Sequence, residues 1–243
     1  MRRTWLISAR SALLLAGVAG FAAPAGASPE EVAALLAAPG AWAYVDASGE
    51  VRPSGSFTGV PPESSLTAAG LQARQSFDFR TGDPVLGCGE PGMPRALTAA
   101  SPMTFAWDGD DLVIRYESMD VERTVQMTTD PVAAGTPRTP NGFARGAWDG
   151  DTLVIRTSHL DDRVQDLLGT PKSEAMTLEE RYVVEAAGGT TQMHVDLIMT
   201  DPTVFTEPYL WQFDFVLEPD WALLEYACEE RPEALTPGAL PGN

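Results

Sequence analysis

The sequence predicts an all-β fold: an antiparallel barrel-like or strongly curled sheet, with a lipocalin-like architecture among its possible forms, and a short N-terminal helix. Three observations lead there. The segment FAWDGDDLVIR at 105–115 recurs as GAWDGDTLVIR at 146–156, an offset of 41 residues. Each copy sets an Asp-Gly two-residue turn between alternating runs, the strongest short signal for a hairpin. Beyond the repeat, the runs 121–128, 177–185, 191–200, 209–217 and 221–228 alternate apolar and polar residues. Nine or so strands with one apolar face each bury that face by curling into a barrel or stacking into a sandwich.

The elements follow in chain order. Arg2, Arg3 and Arg10 precede an apolar run that ends in Ala25–Gly26–Ala27, the pattern of a cleavable export leader over residues 1–27. Cleavage near Ala27 predicts a periplasmic or secreted protein; Arg2–Arg3 fits either a twin-arginine or a general secretory route. The leader's apolar run is too short for a lasting span, and no later segment approaches the roughly 20 apolar residues that a spanning helix needs. Residues 28–231 are expected to form one domain and 232–243, rich in Pro, Gly and Ala, a disordered tail. Ser28 caps a helix over 29–36, with Glu30 and Glu31 in its first turn and Pro39–Gly40 as its stop. From 42 to 95 the Gly, Pro and Ser content predicts loops and two short strands.

Charge excludes some functions. The formal charge is −18, and losing three arginines and no acids with the leader takes it to −21. Such a field repels phosphate backbones, so nucleic acid is not an expected partner. Cys88 and Cys228 are the only cysteines. In an oxidising compartment they are read as one disulfide, two unpaired thiols being the alternative. No metal site is expected: the Asp-Gly-Asp clusters lack the further ligands of a calcium loop. Dinucleotide, phosphate-loop, zinc-protease and nucleophile-elbow motifs are missing, so no cofactor is expected.

Alternation assigns faces. Met103, Phe105 and Trp107 share the inner face with Leu112, Ile114 and Tyr116; Trp148 and Gly146 share it with Leu153, Ile155, Thr157 and His159. Tyr209, Trp211, Phe213, Phe215 and Leu217 form an aromatic inner stripe. Gly146 stands where the first copy has Phe105, which vacates space for a ligand or a close-packed neighbour.

Three polar residues interrupt these apolar faces: Arg123, Glu180 and His159. Arg123 and Glu180 are expected either to meet as an interior ion pair or to face an open, wet end. Glu180 and His159 are the candidate catalytic residues, since a desolvated carboxylate and an imidazole both titrate in the range useful for proton transfer. His194 alternates to the outer face and is expected in solvent.

Gly92–Met93–Pro94–Arg95 after Cys88, WDGDTLVI at 148–155, Gly169–Thr170–Pro171 followed by Ser173 and Glu174, Glu180–Arg181, Asp201–Pro202 with Pro208–Tyr209, and Glu225–Tyr226–Ala227–Cys228 resemble, as a set, a family of exported bacterial β-rich proteins carrying a W-[DE]-G-D-T-L-V-[VI] hairpin motif. The resemblance covers most of the mature chain and implies the Cys88–Cys228 bridge, but no activity. It departs between Met127 and Gly142, where the family pattern calls for a basic, histidine-bearing turn and this chain has Thr128–Thr129–Asp130–Pro131–Val132.

The sequence therefore points to a barrel whose interior binds a small apolar or aromatic molecule, lined by Arg123, His159, Glu180, Tyr116, Gly146, Trp148, Trp211 and Phe213. The alternatives are a cofactor-free lyase, isomerase or hydrolase using Glu180 and His159, and a structural protein of the cell envelope.

Overall fold

The two repeat hairpins form, with each two-residue loop one residue later than the expected Asp-Gly. In the computed structural model, which describes residues 27–52, 60–226 and 228, β3 (Met103–Asp108) pairs with β4 (Asp111–Tyr116), and β6 (Phe143–Asp149) with β7 (Thr152–Ser158). Asp108 lies opposite Asp111 and Asp149 opposite Thr152, so the loop residues are Gly109–Asp110 and Gly150–Asp151. The glycines sit at φ +61° and +64°, the left-handed conformation that a two-residue hairpin demands and a Cβ resists.

The remaining strands are β1 (Ala41–Val45), β2 (Val51–Arg52), β5 (Val121–Gln126), β8 (Thr177–Ala187), β9 (Thr190–Thr200) and β10 (Tyr209–Glu218). Among the described residues, nine strands close into a barrel in the order β1, β3, β4, β5, β6, β7, β8, β9, β10, with β10 pairing back onto β1. β2 is a short flap on β1.

The barrel is mixed: β5 and β6 run parallel, joined at Val125↔Ala144 and Gln126↔Arg145. Parallel neighbours need a long return, which residues 127–142 provide. The described residues of the run 221–228, which are 221–226 and 228, form no strand. β10 already has β9 and β1 as neighbours, so the segment that follows it finds no open edge on β10. That segment instead lies along the β4–β5 turn, its Leu224 and Tyr226 amides donating to Glu117 and Asp120 at 2.9 and 3.1 Å.

Alternation holds inside. Phe105, Leu112, Ile114, Tyr116, Val125, Leu153, Ile155, Leu178, Tyr182, Val195, Leu197, Phe213 and Phe215 all belong to one buried core. Phe205, Tyr209, Trp211, Phe213 and Phe215 follow one another at centroid spacings of 5.8 to 6.4 Å.

Both ends of the barrel are covered. The turns after β3, β6 and β8 gather at one end, where helix α1 (Pro29–Leu36) buries Val32 and Leu36. A capping box holds its start: the Ser28 hydroxyl accepts the Glu31 amide at 3.3 Å, and the Glu31 carboxylate accepts the Ser28 amide at 2.7 Å. Two tryptophans pin it, Trp42 Nε1 donating to the Leu36 carbonyl at 3.0 Å and Trp107 Nε1 to that of Ala33 at 3.3 Å. At the other end Leu66, Met93, Leu97, Leu160, Met176, Val204 and Phe205 from the connecting loops join the core.

The two short strands between 42 and 95 are present, but so are helices that were not expected: α2 (Ala68–Ser76) and single helical turns at Phe79–Gly82 and Arg95–Thr98. Thr67 caps α2 by accepting the Gly70 amide at 3.0 Å. Buried charges fasten this region to the barrel loops. Arg95 grips Asp83 through two bonds of 2.8 and 2.9 Å, Arg74 faces Asp166 at 3.6 Å, and Lys172 donates to the Met93 carbonyl at 2.8 Å. Burial pushes the Lys172 ammonium down to about 8, Asp161 pulling the other way.

Cys88 and Cys228 form the disulfide across 140 residues. None of the described helices is long and apolar enough to cross a membrane. The expected export leader lies outside the described residues save Ala27, as does the expected tail after residue 231.

Candidate functional site

Arg123 and Glu180 meet at the centre of the barrel. β5 and β8 point them across the interior, where they are 4 % and 0 % exposed. The guanidinium spans both carboxylate oxygens, one at 2.9 Å through Nη1 and the other through Nη2. Tyr182 donates to Glu180 Oε2 at 2.6 Å, and the Arg123 guanidinium lies 5.8 Å from the Tyr116 ring centroid. Burial raises the Tyr182 phenol well above its usual range and the Tyr116 phenol to about 12, so both stay protonated. For Arg123, desolvation alone lowers the pKa, but Glu180 and the two tyrosines outweigh it and hold the guanidinium charged.

The other interior candidates separate from this cluster. Phe213 is buried in the aromatic stripe and Trp211 is half-buried beside it. His159 is not brought to Glu180. It follows the last residue of β7, its backbone turns left-handed at φ 57°, and its Nδ1 pairs with the neighbouring Ser158 hydroxyl at 2.9 Å. Glu180 lies opposite Ile155 instead. The Glu180–His159 acid/base pair therefore does not form: the carboxylate is engaged by Arg123 and Tyr182, and the left-handed turn ends the alternation that aimed the imidazole inward. His194 does lie on the outer face, but between Asp214 at 2.7 Å and Asp196 at 3.2 Å rather than free in solvent.

Gly146 and Trp148 belong to a different place. Pairing between β5 and β6 stops at Arg145, while β6 continues to Asp149. The barrel wall thus parts between the two repeat hairpins, beside α1. A cleft of about 930 Å³, widely open to solvent, lies at this gap, with Trp107 and Trp148 from the two copies of the repeat among its walls. Met127, Gly146 and Ala147 contribute further wall, and Ala33 and Ala34 of α1 close the side.

The space vacated at Gly146 is partly taken by a neighbour, since a Cβ there would come within 2.4 Å of Met127 Sδ. That thioether is unbranched and adaptable, a movable wall rather than a fixed one. Both tryptophans are half-buried, pack against the core and line the cleft. Sequence reasoning named Trp148 and missed Trp107, although their equivalence in the repeat was the available signal. Met127 and the α1 alanines carried no signal, because nothing local in the sequence says that a helix from the N-terminus crosses this gap.

Among the described residues no group of three or more His, Cys, Asp or Glu side chains is placed to hold a metal ion. The cleft's chemistry is mainly that of apolar contact, from two indoles, a thioether and small side chains, with the Thr128 and Thr129 hydroxyls and the Glu30 and Asp110 carboxylates as its polar groups. Compared with family models, curated proteins and solved structures, the chain has no match in any of the three.

Proposed function

We propose that this barrel binds a small, largely apolar molecule outside the cytoplasm, in the cleft between its two repeat hairpins. The observation that carries the reading is the pairing of Trp107 and Trp148: two copies of one motif set their indoles into the walls of one cleft, beside a glycine. Clefts built from aromatic surface with few polar groups are the usual form of a small-molecule site. The sequence pointed to the barrel interior, but there Arg123 and Glu180 are engaged with each other through both Nη atoms, only the Arg123 Nε lacking a partner, and both are sealed from solvent. The site therefore moves from the interior to the gap in the wall, and Gly146 and Trp148 move with it.

Titration with N-phenyl-1-naphthylamine, a neutral apolar dye that brightens when desolvated, tests this reading. The wild type is expected to bind the dye, and Trp148→Ala to weaken binding about tenfold, the effect of losing roughly 1.4 kcal/mol of contact. A dye that does not bind, or that binds the variant equally well, would defeat the proposal.

A further inference from the structure

On the outer face of the wall, immediately beside the cleft, β6 and β7 set Arg145 and Arg156 directly opposite each other. Like charges in that position repel. Glu179, the next residue across on β8, answers Arg156 at 2.9 Å. Arg145 has no such answer: among the described residues it forms no ion pair. Its Nη1 donates to the backbone carbonyl of Asp130, and its Nε is buried with no hydrogen-bond partner. An orphaned guanidinium N–H away from water is costly unless an acceptor arrives.

The hollow beside Arg145 is about 120 Å³, room for a small acidic group, and Thr128 and Thr129 line it together with both arginines. The same two threonines, with Gly146 and Ala147, also line the tryptophan cleft, so the two spaces adjoin.

We infer that Arg145, backed by Arg156, receives an oxyanion head, carboxylate or sulfonate in type, on a ligand whose apolar body lies between the tryptophans. The ligand class is an amphipathic organic acid. This rests on the cleft being the ligand site. A guanidinium presents paired N–H donors that match such oxygens, and Thr128 and Thr129 supply neutral donors. The chain's formal charge of −18 repels a bare anion from solution, so head and body are both needed for binding.

Two dyes of one skeleton separate the parts: 1-anilinonaphthalene-8-sulfonate and its uncharged parent N-phenyl-1-naphthylamine. The wild type is expected to bind the sulfonate about tenfold more tightly. Arg145→Gln abolishes that preference and leaves the neutral dye within twofold. Arg145→Lys, which keeps the charge but loses the paired donors, retains part of the preference and serves as the test should the glutamine variant not fold. Equal wild-type affinities, or a preference that survives Arg145→Gln, overturn the inference and leave the cleft reading standing. Sulfonate binding that depends on Arg145 without any binding of the neutral dye overturns the cleft reading, and with it the two-part ligand. Binding of neither dye overturns both.

Discussion

Glu180 offers its two oxygens to Arg123 and accepts a further bond from Tyr182, all away from solvent. The pair's own attraction largely offsets the cost of drying two charges, so its net worth is small. Its loss by halves is another matter. Glu180→Gln leaves a buried guanidinium with a neutral partner and is expected to cost about 3–5 kcal/mol in urea unfolding. Arg123→Met combined with Glu180→Leu is expected to recover most of it. A Glu180→Gln variant within 1 kcal/mol of wild type would mean that water reaches the pair. Alternation in the sequence placed both side chains inward and offered their meeting as one of two outcomes. What it had no means to choose was the partner, because β5 and β8 are separated in the sheet by β6 and β7. His159 failed for a local reason, a positive φ just past β7 that no neighbouring glycine announces.

Among the elements, α1 links sequence to site most directly. Its start is written in the residues: Ser28 as cap, Glu31 reaching back, and Pro29 where a missing N–H does no harm. Because Ala33 and Ala34 form part of the cleft wall, loosening the helix loosens the cleft. Ser28→Ala is expected to destabilise the protein by about 1 kcal/mol and to speed amide hydrogen exchange at Val32 and Ala33 over that of the barrel strands. Unchanged exchange in the helix would show that its packing onto Trp42 and Trp107, rather than the cap, holds it. The hairpins were equally legible, since a glycine-bearing two-residue turn fixes register locally. The parallel β5–β6 pair was not drawn from the sequence. Yet the stretch from 127 to 142, with Pro131, Gly135, Pro137 and Pro140, is too long for a tight turn and about the length of a crossover. That parallel pair is what opens the wall and creates the cleft.

At the scale of the whole molecule, β1 against β10 closes the barrel, and Cys88–Cys228 ties the loop region to the end of the chain. A bridge across 140 residues removes much freedom from the unfolded chain. The chain-entropy estimate for such a loop is about 5 kcal/mol. Cys88→Ser is accordingly expected to lower unfolding stability by about 2–5 kcal/mol while leaving the far-ultraviolet circular dichroism of the barrel intact. A melting temperature equal to wild type would show that the denatured state gains nothing from release of the loop.

Alone, the sequence determined most of the strands, the two repeat hairpins to within one residue, how the first helix begins and, His159 apart, which side chains look inward. All of these depend on residues within a few positions of one another, through pleating, turn conformation and capping. The tertiary structure decided that the curled sheet closes, that β6 runs parallel to β5, that Arg123 finds Glu180, and that the tryptophans of two distant repeats face one cleft under α1. Those outcomes depend on contacts between segments far apart in the chain, and a repeating pattern of inward and outward residues carries no record of which strand will lie beside which.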